Sequence, residues 1–362
     1  MKFSQSFRPP DGGPAHHFSR SFMSDQNIAV VGAGAWGTAL SLSLLQSGNE
    51  VDLWVYEKDL CALINQTREN KFYLPGISLP ENIHATSAIE TAVKNKSVVV
   101  LVVPTPAIRS VVKELNLYLK PDCLIINAGK GIENETLLTP HQILKEVLTV
   151  PYRCGALSGP TFAAEVSRNA PSAIVAAAET LAIAEQIQAI FSTPKMKVFT
   201  STDLIGVELG GALKNVIAIA TGISDGLKLG HNARAALITR GLVEITRIGT
   251  ALGARPETFS GLSGVGDLVL TCTGDLSRNR TVGLKLAQGE KLKEIVENMK
   301  MVAEGVRTVK SAHRLKTQLK IQASIIDATY QILYEDKPPK QALEDLMSVE
   351  ISSEFSGIKG LQ

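Results

Sequence analysis

The 362-residue chain is long enough for two domains that each bury a core, which excludes a single small disulfide-stapled module. With 44% hydrophobic and 20% charged residues it carries enough apolar surface to fold, so wholesale disorder is excluded as well. Lys+Arg 37 against Asp+Glu 35 leaves a charge of +2, which gives no bulk electrostatic case for nucleic acid or a membrane surface; any bound anion is held locally.

Residues 1–26 carry Pro9, Pro10, Gly12 and Gly13 and no continuous apolar stretch, so they read as a flexible extension rather than a secretory signal, with Met23 as a second candidate start. From Asn27 onward, short β-branched runs alternate with helix-length segments: Ile28–Val31, Val51–Tyr56, Val98–Val103, Leu124–Asn127, Ala156–Ser158, Ala173–Ala176 and Val198–Thr200. Runs without polar alternation belong to strands covered on both faces, so residues 27–202 are expected to form an α/β, doubly wound (Rossmann-like) parallel sheet. After Asp203 such runs almost vanish, and residues 203–350 read as a mostly α-helical substrate domain, followed by a flexible tail over 351–362. The longest apolar stretch, Leu204 to Ile223, is interrupted by charged residues and Asn, so no stable membrane insertion is expected. Cys61, Cys123, Cys154 and Cys272 lie far apart without CxxC spacing, which fits free thiols in a cytoplasmic protein.

The strand Ile28–Val31 runs directly into Gly32-Ala33-Gly34-Ala35-Trp36-Gly37 and then into a helix reaching about Gln46. Gly32 permits the tight turn, Gly34 lets backbone N–H groups approach a pyrophosphate, and Gly37 lets the helix pack on the strand. Glu57, near the end of the second strand, suits the 2′-hydroxyl of a dinucleotide ribose and repels a 2′-phosphate, while Lys58 beside it pulls the other way; NAD and NADP both stay open. Asn127-Ala128-Gly129-Lys130-Gly131 leaves a strand at the sheet edge where ligands bind, which points Lys130 into the cleft. Ser158-Gly159-Pro160-Thr161-Phe162-Ala163 ends the next strand in the same way.

In the helical half, Glu208-Leu209-Gly210-Gly211-Ala212-Leu213-Lys214-Asn215 places two glycines three and four residues before a lysine, each costing about 1 kcal/mol against alanine. Two accounts fit. The glycines leave a bare groove under Lys214 for a small substrate, or they allow close helix packing while Lys214 reaches water. A desolvated Lys214 near a second cation such as Lys130 becomes a usable proton donor or acceptor near neutral pH. Asp267, preceded by Gly264 and Gly266, can orient an ammonium or serve as a turn or cap residue. Ser277-Arg278-Asn279-Arg280 reads as a capped helix start, which with the Arg278 fork makes a phosphate cradle or, alternatively, a solvated basic face.

Together these residues resemble the bacterial-type NAD(P)-dependent glycerol-3-phosphate dehydrogenases. The resemblance runs from about Asn27 to about residue 347 and rests on G-A-G-A-W-G-T-A-L, L-S-G-P-T-F-A at 157–163, I-G-V-E-L-G-G-A-L-K-N-V-I-A-I-A-T-G at 205–222, N-A-R-A-A-L-I-T-R-G at 232–241, G-D-L-V-L-T-C-T at 266–273 and S-R-N-R. It implies that Lys214 is the proton donor and acceptor, and that Lys130, Gly159, Thr161, Asp267, Ser277, Arg278 and Asn279 surround glycerol 3-phosphate. It also implies NAD or NADP contacts from Trp36, Lys130, Ala163, Arg278, Val302 and Glu304, and a supply of glycerol 3-phosphate to phospholipid synthesis. The chain departs from the family at Ala35, where Ser is frequent, and at Tyr56, where a basic residue is frequent. In the implied reaction a hydride passes between the nicotinamide and the carbonyl carbon of dihydroxyacetone phosphate, with Lys130 stabilising negative charge and Arg278 gripping the phosphate. No metal is needed, since neither H-E-x-x-H nor a Cys pair occurs. A homodimer is compatible with the sequence, which does not fix the oligomeric state. The alternatives are a two-domain dehydrogenase of a 2-oxo or 3-hydroxy acid, and a regulator that binds NAD(H) without turnover.

Overall fold

The computed structural model describes residues 27–299, 303–349 and 353–358. The expected flexible lead, 1–26, lies outside these residues. Its sheet is built from β1 (Ile28–Val31), β2 (Val51–Trp54), β3 (Ile83–Thr86), β4 (Val98–Leu101), β5 (Cys123–Asn127), β6 (Tyr152–Ser158), β7 (Ser172–Ala178) and β8 (Met196–Ser201). Between the strands run α1 (Ala35–Gln46), α2 (Lys58–Thr67), α3 (Ile89–Val93), α4 (Thr105–Leu115), α5 (Pro140–Val147), α6 (Ala163–Val166) and α7 (Leu181–Phe191). The helical half comprises α8 (Leu204–Gly226), α9 (His231–Ala251), α10 (Pro256–Phe259), α11 (Asp267–Thr273), α12 (Arg278–Ala287), α13 (Leu292–Glu297), α14 (Glu304–Gln318), α15 (Ser324–Tyr334) and α16 (Pro339–Met347), with a π turn at Leu262–Gly266 before α11.

The strand order is β3-β2-β1-β4-β5-β6-β7-β8. The chain winds one way from β1 and the other way from β4, so the loops after these two strands part and open a crevice at the carboxyl edge, where open α/β sheets bind ligands. β1, β4 and β5 are buried along their whole length, which is why their sequences show no polar alternation. The expected strands over Val51–Tyr56 and Val98–Val103 end sooner, at Trp54 and Leu101, because the chain leaves the sheet there to line the crevice.

Two expectations about the sheet need correction. β3 carried no strand signal: it lies at the edge, only Ile83 is fully buried, and His84 interrupts the apolar run. β7 runs antiparallel to β6, so the sheet is not wholly parallel. The link between Ser158 and Ser172 holds only the four-residue α6 and lacks the full crossover helix that usually carries the chain back to the amino end of the strands, where a parallel neighbour begins.

α8 forms the spine of the helical half and packs against α9, α11, α12, α14 and α15. Its length and mean hydropathy of 1.4 would suffice to cross a membrane, contrary to the expectation that interruptions break the run, yet 89% of that window is buried inside the protein. A helix enclosed on all sides is apolar all round for the same reason a membrane helix is. Asp203 caps α8 by accepting from Gly206 N at 3.0 Å, and its other oxygen takes Arg255 N at 2.9 Å and Thr258 Oγ1 at 2.6 Å. The tail also differs from expectation over 353–358: Ile358 is buried, and Arg240 and Arg247 of α9 donate to the carbonyls of Glu354 and Ser356.

α8 and α12 cross in backbone contact. A Cβ on Gly283 would stand 2.1 Å from Ile219 O, and one on Gly222 2.1 Å from Arg280 O. Gly283→Ala is therefore expected to destabilise the protein by about 1–3 kcal/mol, read as a lowered Tm in thermal denaturation. Gly34→Ala, whose Cβ would meet nothing within 4 Å, serves as the contrast and should leave Tm unchanged.

Candidate active site

A cleft of about 870 Å³ lies between the carboxyl edge of the sheet and the helical half. Gly32, Gly34, Ala35, Trp36, Gly37, Tyr56, Glu57, Lys130, Thr161, Ala163, Lys214, Ser277, Arg278, Asn279 and Glu304 all reach its wall. Gly159 and Asp267 stand behind the wall and act on it through Lys130. Val302 lies outside the described residues.

On the sheet side the glycine turn divides its labour as the spacing predicts. Gly32 has φ +119° and a Cβ there would stand 2.6 Å from Val102 O, while one on Gly37 would stand 1.9 Å from Gly32 O. The outer glycines are thus required by close packing. Gly34 opens onto the cleft with nothing near its missing Cβ, and as N-cap of α1 it precedes a first turn with no acidic side chain. Trp36 Nε1, on the same wall, is buried without an acceptor among the described residues, a donor that a bound dinucleotide would satisfy. A turn, a helix N-terminus and a waiting donor fit such a cofactor. Further along, Glu57 accepts from Tyr73 Oη at 2.8 Å, and Tyr56 is 76% exposed at the mouth. Tyr73 escaped the sequence reading because it lies in an irregular segment with no spacing signal.

On the helical side, Asp267 is fully buried in the first turn of α11, where the helix dipole favours negative charge. Lys130 Nζ, from the loop after β5, donates to Asp267 Oδ2 at 2.7 Å and to Gly159 O at 3.0 Å. Lys214 Nζ, from α8, donates to Asp267 Oδ1 and to Thr271 Oγ1 at 2.8 Å. Burial pulls the Lys214 amine down to about 8; Asp267 opposes that pull and Lys130 adds to it. Thr271, one turn beyond Asp267, was also missed, although its position four residues after the acid on one helix face was the available signal.

The two accounts of the α8 glycines are now separable. A Cβ on Gly210 would meet Ser263 O at 2.6 Å, and one on Gly211 would meet Ser158 Oγ at 2.7 Å and Lys130 Cγ at 3.4 Å. They allow close packing rather than leaving a bare groove, and the space over them is filled by the π turn and by Lys130 itself. Lys214 does not reach water: it is 5% exposed and faces the cleft.

Ser277 caps α12 by accepting from Arg280 N at 3.3 Å, as its position predicts. Arg278 follows on the cleft wall, exposed to it, with the Glu304 carboxylate as a neighbouring opposite charge. Glu304, in the first turn of α14, is pushed up to about 7 by burial against the pull of Arg278, Lys130 and Lys214. The Asn279 amide is committed to structure, donating to Asn215 Oδ1 at 2.8 Å and accepting from Gly305 N at 3.0 Å, so it ties α12 to α8 and α14.

Known proteins are similar to this chain. Residues 27–184 match the family described as NAD-dependent glycerol-3-phosphate dehydrogenase N-terminus, and residues 203–344 match its C-terminus. The chain is 51% identical over 331 residues to glycerol-3-phosphate dehydrogenase [NAD(P)+] of Geobacter sulfurreducens, covering 91% of this chain and 99% of that protein. The crystal structure of glycerol-3-phosphate dehydrogenase from Coxiella burnetii superposes with a TM-score of 0.86 at 37% identity, over 89% of this chain and 98% of that one. A PanE/ApbA family ketopantoate reductase from Ralstonia eutropha, at 15% identity and a TM-score of 0.54 over 87% and 99% of the two chains, shares the fold alone. The chain belongs to the NAD-dependent glycerol-3-phosphate dehydrogenase family.

Proposed function

We propose that the cleft interconverts sn-glycerol 3-phosphate and dihydroxyacetone phosphate with NAD(P), and that Lys214 carries the proton. One observation supports this above the rest: an ammonium has three N–H groups, and Lys214, which lines the cleft, commits two of them to Asp267 and Thr271 and has no further acceptor among the described residues. Lys130, bound to Asp267 and Gly159 O, likewise has no third acceptor among the described residues. Two ammonium groups held by one carboxylate on the wall of one cleft are what a carbonyl oxygen gaining negative charge requires.

When bound, the nicotinamide supplies or accepts the hydride at the substrate carbon. The chain's residues do the rest. In the direction of reduction, Lys214 Nζ gives its proton to the oxygen of that carbon, and the neutral amine left behind suits its buried surroundings. In oxidation the same nitrogen takes the hydroxyl proton. Asp267 and Thr271 hold the nitrogen in place through both steps. Arg278 and the start of α12 accommodate the phosphate dianion, whose binding orients the distant reacting carbon.

Initial rates with NADH or NADPH, against dihydroxyacetone phosphate or a 2-oxo acid such as ketopantoate, test the assignment; faster oxidation with the 2-oxo acid would reject it. Lys214→Ala should lower turnover by about 10²–10⁴-fold and leave cofactor affinity, followed by NADH fluorescence, unchanged. Since reduction needs the protonated amine and oxidation the neutral one, kcat for reduction should fall as pH rises through about 8, and kcat for oxidation should rise through the same range. Arg278→Ala should raise KM for dihydroxyacetone phosphate about tenfold or more, and inorganic phosphate should compete with that substrate in the unaltered protein. Non-competitive phosphate inhibition would place the cradle elsewhere.

A further inference from the structure

Glu208 lies on α8 ahead of Lys214, with its side chain 2% exposed and behind the cleft wall rather than on it. A carboxylate in such a place needs several donors. It has Asn127 Nδ2 at 3.1 Å, the His141 backbone N–H at 3.2 Å and His141 Nδ1 at 2.6 Å. The His141 amide belongs to the first turn of α5, so the helix dipole adds to the grip.

An ionised carboxylate only accepts, so Asn127 must turn its NH₂ toward Glu208. That leaves Asn127 Oδ1 to accept from Gly129 N at 3.0 Å, while Nδ2 also reaches Gly129 O at 3.1 Å. The orientation of one side-chain amide therefore fixes the backbone just before Lys130. Gly211, one turn beyond Glu208, lets this loop lie directly against α8.

We propose that Glu208 is a positioning residue for Lys130: through Asn127 it clamps the Gly129-Lys130 backbone onto α8, which keeps the Lys130 ammonium on Asp267 beside Lys214. The inference rests on the proton-transfer role given to Lys214 above. The groups that face Lys214 are Asp267, Thr271 and Cys272 from α11, Glu304 from α14 and Lys130 from the β5 loop. Those that face Glu208 are Asn127, His141 and Cys154 of β6, whose thiol burial and Glu208 push up to about 12. Loosening the clamp lets Lys130 drift from Lys214, which removes a neighbouring positive charge and raises the proton affinity of the Lys214 amine.

The test uses Glu208→Gln, Asn127→Ser and the double variant of the full chain, assayed with NADH and dihydroxyacetone phosphate from pH 6 to 10. Each single variant should lower kcat about 10–100-fold, as expected when a catalytic group is slightly misplaced. Each should also move the alkaline midpoint of the kcat profile upward and leave the NADH Kd within about twofold. The double variant should be no worse than the poorer single one, because both changes break the same chain. Multiplying losses, or an unmoved midpoint accompanied only by a lower Tm, would overturn the proposal. Should Glu208→Gln fail to fold, the midpoint of Asn127→Ser decides alone. Absent turnover in the unaltered protein, or full turnover in Lys214→Ala, would instead remove the role of Lys214 itself.

Discussion

A single buried carboxylate joins the two halves of the site. Asp267 is completely enclosed and takes one ammonium from the sheet half and one from the helical half. Losing one partner of such a buried group typically costs about 3–5 kcal/mol, because the remaining charge is left uncompensated. The arrangement is therefore all or nothing: Lys130 and Lys214 tolerate each other's proximity because Asp267 lies between them, and Asp267 tolerates burial because both are present. One anion against two cations leaves net positive charge at the inner end of the cleft, beside Arg278 and Glu304. A whole-chain charge of +2 carries no trace of this concentration.

The closeness that makes the triad possible comes from missing side chains. Gly210 and Gly211 bring the π turn and the β5 loop onto α8, and Gly222 with Gly283 brings α12 onto the same helix about three turns further along. α8 is thus approached by backbone on several sides, and its sequence records this as small residues within an apolar run. Each glycine weakens the isolated helix by about 1 kcal/mol, and tertiary packing offsets that loss. The same enclosure drives the Lys214 amine toward neutrality, so the feature that stabilises the helical half also sets the chemistry of its lysine.

The fold is legible in the residues where a physical demand is local. The strand, glycine turn and helix around Gly32–Gly37 announce themselves because φ, close approach and periodicity act within a few residues, and the bounds of β1 and α1 match. The Ser277 cap is legible for the same reason. What escaped depends on distant partners. β7 looks like any buried strand, and its direction follows from the shortness of α6 rather than from its own residues. The purpose of Gly210 and Gly211 is hidden until Ser263, Ser158 and Lys130 are seen against them. Tyr73 acts through Glu57, and residues 353–358 are held by arginines of α9 more than a hundred positions earlier.

Within the proposed reading, the choice between the two nicotinamide cofactors turns on which of two adjacent residues is held in place. Glu57 stands at the N-cap of α2 and accepts from the Tyr73 hydroxyl, whose pKa burial and then Glu57 raise to about 12, so it stays a donor. A ribose 2′-hydroxyl can donate to such an anchored carboxylate, whereas a 2′-phosphate brings like charge against it. Arg68, a guanidinium nearby in the chain, is drawn to the carbonyls of Leu79, Pro80 and Ile83. Lys58 is exposed, and a solvated ammonium on a flexible stem supplies little compensation. Of the two adjacent residues, Glu57 is the one held by a hydrogen bond from a distant part of the chain.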